Sequence, residues 1–356
     1  MIVDVGLIGL GAMGKGMAQS LRRAGFRVHV HDVRAEAAQA FAGDGGVACK
    51  SPAELGEVCD VVVSVVVNAA QTEAVLFGPD GCAAVMKPDS VFVMCSTVDP
   101  GWSMALEKRL NALGLLYIDA PISGGAARAA SGEMTMMTSG APAAYARADP
   151  VLNAMAGKVY KLGDAAGAGS KVKIINQLLA GVHIAAAAEA MALGLRAGVD
   201  PAALYEVITH SAGNSWMFEN RMAHVLAADY TPLSAVDIFV KDLGLVLDMA
   251  RASKFPLPLS STAHQMFMQA STAGFAAEDD SAVIKIFPGI ELPRRGSPRG
   301  LTACLASVPA PREALKNGCR RGCWRRVRQR EPQPQPAVRP AAPSAARLWM
   351  PLPEPL

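Results

Sequence analysis

The sequence predicts an α/β chain in which a doubly wound, mainly parallel sheet is followed by an all-helical region. Three observations carry this. From residue 1 to about 163, short apolar runs alternate with helix-length stretches, the pattern of strand–helix–strand units with parallel pairing. From 164 to 293 the alternation stops and Ala-rich segments with a helical period take over. Hydrophobic residues make up 51% of the chain but aromatic ones only 5%, so the core must be built from Ala, Val, Leu, Ile and Met, which suits helices packed on a sheet.

Strands are predicted at 3–8, 27–31, 61–66, 91–94, 115–118, 134–138 and 159–162. Helices are predicted to start at turn signals such as Ser51-Pro52 and Asp99-Pro100, where a polar cap precedes a proline suited to a first helical turn. The first helix is predicted over 12–24. In the second region the predicted helices run over 170–197, 201–211, 216–227, 235–252 and 259–273. The stretch 178–195 approaches membrane-spanning length, but His183 and Glu189 interrupt it and small Ala residues fill it. It is predicted to be a buried interdomain or subunit-interface helix, and no membrane partner is expected. The N-terminus carries Asp4 and no basic leader, so it reads as a strand and not as a secretory signal. Seven cysteines show neither a disulfide framework nor zinc-ligand pairs, which points to a reducing cytoplasm and no metal.

The net charge of +3 conceals a division of the chain. Residues 294–356 hold 12 Arg and one Lys against three Glu, a balance of +10, which leaves −7 for residues 1–293. The same 63 residues hold 11 of the 24 prolines and no sustained apolar period. Such a segment is expected to be disordered, or to be a non-native extension of the frame, because it cannot bury enough surface to offset its ordering entropy.

The segment Gly9-Leu10-Gly11-Ala12-Met13-Gly14 follows the first strand and opens the first helix. In that context G-x-G-x-x-G is the dinucleotide fingerprint of a Rossmann-type sheet: Gly9 permits the tight turn, Gly11 lets backbone approach the pyrophosphate, and Gly14 allows close packing of the helix. Asp32 ends the second strand at the distance where a carboxylate accepts hydrogen bonds from the adenosine ribose. A carboxylate there repels a 2′-phosphate, so NAD is expected over NADP, although Arg34 two residues on opposes that preference.

Two further segments carry candidate chemistry. Residues 119–135 present Ser123, Gly124 and Gly125 after a strand, where backbone N–H groups and a hydroxyl suit a carboxylate; an ordinary strand-to-helix loop with a capping serine explains the same residues equally well. Residues 167–177, GAGSKVKIINQ, place Lys173 and Asn176 three apart on one helix face with Gln177 beside them, while Lys171 points elsewhere. A lysine in apolar surroundings exchanges a proton near neutral pH, but most helix lysines are solvated surface residues.

GLGAMGKGMA, DAPISGG, GAGSKVKIINQ and FVKDLGLVLDMA occur in order, and by these four motifs residues 1–293 resemble the β-hydroxyacid dehydrogenase family. The resemblance implies that Lys173 is the catalytic acid–base residue and that Ser123, Gly124, Gly125 and Asn176 bind substrate. It also implies that Thr97, Phe239 and Lys241 hold the cofactor near the nicotinamide, and that Val66 and Val67 line its adenosine side. By itself Lys241 would read as a solvated helix charge. The expected partner is a small anionic hydroxy acid, L-threonate oxidised at C2 first among them, with 3-hydroxyisobutyrate, D-glycerate and tartronate semialdehyde as rivals. A homodimer or homotetramer is also implied. The reading from another class is an NAD sensor whose basic tail contacts nucleic acid; Lys173 argues against it, and the tail has no recognisable nucleic-acid-binding fold.

Overall fold

The computed structural model describes residues 4–295, all within one compact unit. The expectations for 296–356 lie outside the described residues. Among those described, the first part is a mixed sheet in the order β3-β2-β1-β4-β5-β6-β8-β7, with β9 added beside β8. Its strands are β1 (Asp4–Ile8), β2 (Arg27–His31), β3 (Val47–Ala48), β4 (Val61–Ser64), β5 (Val91–Met94), β6 (Leu116–Asp119), β7 (Ile122–Ser123), β8 (Met134–Gly140) and β9 (Ala156–Lys161). Strands β1 to β6 pair in parallel, and β8 runs antiparallel to both β6 and β7. The central strands β4 and β5 are buried at every position, which is why they read as unbroken apolar runs: helices cover both faces of a parallel sheet.

The helices between the strands are α1 (Gly14–Arg23), α2 (Ala35–Gly43), α3 (Pro52–Val58), α4 (Ala69–Phe77), α5 (Pro100–Ala112), α6 (Gly125–Ser131) and α7 (Pro142–Met155). The turn signals act as side-chain caps: Ser51 Oγ accepts the Glu54 N–H at 3.2 Å, and Asp99 Oδ1 accepts the Trp102 N–H at 2.9 Å. Helix α1 begins at Gly14, two residues later than the pattern predicts, because residues 11–13 form the turn. The two-residue strands β3 and β7 escape prediction because they are too short to show alternation.

The second part is α8 (Ala168–Arg196), α9 (Pro201–Thr209), α10 (Trp216–Ala227), α11 (Val236–Ala252) and α12 (Pro258–Ala270), followed by a turn kinked at Gly274 (Ser271–Phe275) and a 3-10 helix (Asp280–Ile286). Helix α8 is long and apolar enough to cross a membrane. Here Ile174, Ile184, Ala188 and Met191 pack with Phe218, Met222, Leu243, Val246 and Phe267 in the core of the helical part. Several of its small residues face this core: Gly181 would place a Cβ 2.9 Å from Leu243, and Ala180, Ala185 and Ala187 are buried, while Ala186 and Ala190 are exposed. The exposed side of α8 also carries larger aliphatics, Val172, Ile175, Leu179 and Leu193. His183 and Glu189 also face outward, so neither mediates a buried contact between helices. A buried Arg221–Asp280 ion pair fastens α10 to the 3-10 helix.

Candidate active site

The order of the sheet reverses between β1 and β4, since the chain proceeds from β1 outward to β2 and β3 and then returns to build β4, β5 and β6 on the other side. Such a switch point leaves a crevice at the carboxyl ends of the strands, where dinucleotides bind. Gly9 leaves β1 with φ +96°, and a Cβ there would lie 2.6 Å from the Val65 carbonyl oxygen. At Gly14 a Cβ would stand 1.8 Å from the Gly9 carbonyl oxygen, so no side chain fits. Gly11 differs: a Cβ there meets nothing within 4 Å. The chain's own packing does not demand this glycine, and the space it leaves open suits a pyrophosphate. Leu10, Ala12 and Met13 complete the turn.

Asp32 sits 9% exposed beside this turn. Its Oδ2 accepts the Leu10 N–H at 2.6 Å, and its Oδ1 accepts the Arg34 N–H at 2.9 Å and Arg34 Nε at 3.3 Å. Burial pushes this carboxyl up, but the hydrogen bonds from Arg34 and Leu10 outweigh it and hold the group below the ordinary carboxylate range. Asp32 is therefore an anion that also anchors the glycine turn, with acceptor capacity left for a ribose hydroxyl. Across the crevice, Ser96 Oγ donates to the Val66 carbonyl at 2.7 Å, which joins the chain after β5 to the chain after β4. Val66, half-buried, and the exposed Val67 line that edge, and Thr97 follows Ser96. Cys95, next to them, is buried, and burial pushes its thiol up, so it packs and does not react.

Asp119, fully buried at the end of β6, joins the loop after β6 to the start of α8. Its Oδ2 accepts the N–H groups of Gly167 at 3.0 Å and Ser170 at 2.9 Å, and its Oδ1 accepts the Ser170 hydroxyl at 2.7 Å. It thus caps the start of α8. The glycines of that motif make the approach possible: Gly167 takes φ +106°, and a Cβ on Gly169 would lie 2.4 Å from the Met137 carbonyl oxygen and 2.9 Å from that of Asp119. From the same strand end the chain continues through Pro121 to Ser123, which pairs with Thr135 on β8. Gly124 and Gly125 turn the chain with φ of +139° and +77°, a conformation open to glycine.

One turn into α8, Lys173 is 7% exposed while Lys171 faces solvent. Lys173 Nζ donates to Gln177 Oε1 at 2.8 Å, and Asn176 Nδ2 donates to the same oxygen at 3.0 Å. Gln177 Nε2 in turn donates to Asp242 Oδ2 at 2.6 Å. On α11, Lys241 Nζ lies 2.6 Å from Asp242 Oδ1 and donates to the Thr97 carbonyl at 3.0 Å. Burial lowers the Lys173 pKa to about 8; the Asp242 charge works against that shift and the Lys241 charge with it. The arrangement therefore offers an amine able to gain or lose a proton near neutral pH, enclosed by neutral amides and a paired charge.

The structure brings Lys173, Asn176, Lys241 and Thr97 into one connected network. It does not bring Phe239 there: that ring is 2% exposed and stacks on Phe267 at 5.2 Å between centroids, inside the helical core. Gln177 and Asp242 complete the network, and neither stood among the predicted site residues. Gln177 carried a signal, its position one turn after Lys173. Asp242 carried none beyond adjacency to Lys241. Among the described residues, no group of three or more His, Cys, Asp or Glu side chains is placed to hold a metal.

Residues 4–163 match the family described as the NAD-binding domain of 6-phosphogluconate dehydrogenase. Residues 167–287 match the family described as NAD-binding of NADP-dependent 3-hydroxyisobutyrate dehydrogenase. The L-threonate dehydrogenase of Cupriavidus necator is 73% identical over 290 residues, covering 82% of this chain and 98% of that protein. The chain belongs to the β-hydroxyacid dehydrogenase family. It is an NAD-dependent oxidoreductase that acts on a hydroxyl group. Escherichia coli L-threonate dehydrogenase is 54% identical over 291 residues, 81% of this chain and 96% of its own length. The crystal structure of a Salmonella typhimurium 3-hydroxyisobutyrate dehydrogenase superposes with a TM-score of 0.77 at 56% identity, covering 80% of this chain and all of that one. Within this family fold, the four motifs read from the sequence fall at the glycine turn after β1, the loop after β6, the start of α8 and the middle of α11.

Proposed function

We propose that this family member oxidises L-threonate at C2 to 2-oxo-tetronate, with Lys173 taking the hydroxyl proton. The observation that carries the reading is the enclosed Lys173 amine, held by Gln177 and with its pKa lowered by burial to about 8. The L-threonate dehydrogenases at 73% and 54% identity support the choice of acid.

When bound, NAD supplies the acceptor for the two electrons and the hydrogen that leave C2. Neutral Lys173 takes the proton from the C2 hydroxyl as the C2–O bond becomes a carbonyl, so charge and electrons balance. Ser123, with the backbone N–H groups of Gly124 and Gly125, receives the carboxylate, and Asn176 orients the reacting hydroxyl. Asp32 accepts the adenosine ribose hydroxyls, and the backbone of 9–14 faces the pyrophosphate. Val66 and Val67 flank the adenosine side, and Lys241 with Thr97 borders the nicotinamide. In this reading residues 1–163 form the cofactor domain, and 164–293 form the substrate and oligomerisation domain. It places the enzyme in the cytoplasm as a homodimer or homotetramer, for which the exposed aliphatics of α8 offer an apolar surface.

A second reading, 3-hydroxyisobutyrate as substrate, is favoured by the name of the Salmonella protein. A panel of three- and four-carbon hydroxy acids decides between them. L-threonate is expected to give the highest kcat/KM with NAD; inert L-threonate beside active 3-hydroxyisobutyrate would overturn the substrate reading. Oxidation requires the neutral amine, so its rate is expected to rise with pH through about 8 and the reverse reduction to fall over the same range, as measured by initial rates in each direction. Asp32→Ser, with Arg34 in place, removes the charge that repels a 2′-phosphate. It is expected to shift the NAD-to-NADP ratio of kcat/KM toward NADP by roughly tenfold or more.

A further inference from the structure

We infer that Gln177 and Asp242 are positioning residues that set the direction of the Lys173 lone pair, through an amide whose orientation their hydrogen bonds fix. The inference rests on the reading of Lys173 as the acid–base group.

Geometry leaves the Gln177 amide one orientation. Two donors, Lys173 Nζ at 2.8 Å and Asn176 Nδ2 at 3.0 Å, converge on one end of it, and a carboxylate oxygen of Asp242 stands 2.6 Å from the other. Turned over, the amide would set N–H groups against two donors and its oxygen against an anion, losing three hydrogen bonds in a site where Gln177 is 7% and Asp242 2% exposed. The end that faces Lys173 is therefore always the acceptor. A neutral lysine amine has two N–H bonds and one lone pair, and an acceptor can bind only an N–H. The lone pair is thereby turned away from Gln177, toward the other positions around Nζ, as a base needs when a substrate hydroxyl arrives there.

Asp242 makes this hold. Its carboxylate polarises the amide and is itself balanced by Lys241 at 2.6 Å, which reaches the Thr97 carbonyl at 3.0 Å. The chain Thr97–Lys241–Asp242–Gln177–Lys173 thus runs unbroken from the end of β5 to the acid–base amine. It depends on the close approach of α11 to α8, which Gly181 permits one turn beyond Gln177. The charges that act on Lys173 are Asp242 and Lys241 from α11. On the sheet side Asp119 is engaged with Ser170, and Glu107 on α5 accepts the Ala166 N–H at 3.0 Å.

The test is the pH dependence of kcat/KM for the hydroxy acid in two variants of the full chain, with NADH binding followed by fluorescence. Asp242→Asn removes the negative charge, so the acid limb is expected to move down by about half a pH unit or more. Gln177→Met keeps volume but offers no acceptor, so the high-pH plateau is expected to fall roughly tenfold or more while NADH still binds. A purely structural role would move neither the limb nor the plateau of folded, NADH-binding protein. An unmoved limb in Asp242→Asn, or an undiminished plateau in Gln177→Met, overturns the inference. Lys173→Ala separates the two levels. If it keeps its turnover, the reading of Lys173 itself fails; if it is inactive while the other two variants behave as wild type, only the positioning role fails.

Discussion

Lys173→Met is expected to lower kcat by about 10²- to 10⁴-fold, the range that a positioned acid–base group contributes, with NADH binding retained. The methionine stem occupies the volume of the lysine stem, and the buried amine that burial disfavours is gone, so the melting temperature should hold or rise. Loss of turnover without loss of stability is a signature that a packing role for Lys173 does not produce. Steady-state kinetics and a thermal melt on the same preparation check both halves.

Asp119→Ala is expected to be the most damaging single change to the fold. The carboxylate is fully buried and accepts two backbone N–H groups and the Ser170 hydroxyl, all at the start of α8. Removing it strands these donors where water does not reach. Hydrogen bonds to a charged group are worth about 1.5–3 kcal/mol each, and unmet buried donors add to the cost, so a loss on the order of 3–5 kcal/mol is expected. Asp119→Asn keeps an acceptor oxygen and should cost clearly less. Because α8 carries Lys173 three residues after Ser170, whatever folds of the Ala variant should also turn over slowly. Urea unfolding of the two variants measures the difference.

How far the site was legible in the sequence follows from the distance over which each residue acts. The glycine turn and Asp32 act within one strand–helix–strand unit, so spacing alone exposed them, and the structure adds only that Asp32 also holds the Leu10 N–H. Lys173 and Asn176 share a helix face, which local periodicity reveals; burial of the lysine, which decides its chemistry, depends on helices folded over it later in the chain. Lys241 read as a solvated charge because its partner is the Thr97 carbonyl, 144 residues away. The Gln177–Asp242 bond spans 65 residues and the Asp119 cap spans 48 to 51, and no pattern within one element reports either. Phe239 shows the opposite case. The family motif assigned it to the nicotinamide, but its place among Val236, Leu243 and Val246 on the buried face of α11 turns it to Phe267. The fold was legible where segments were long and periodic. It was not legible in β3 and β7, where two residues make a strand only because a neighbouring strand pairs with them.

The most direct test of the account follows a label. L-threonate carrying deuterium at C2 is incubated with the enzyme and NAD, and the reduced cofactor and the oxo acid are analysed by mass spectrometry. The account predicts that the label passes to the nicotinamide of NADH and that the organic product is the unlabelled 2-oxo acid. Reduced cofactor without deuterium, or a product that keeps its label at C2, would contradict it.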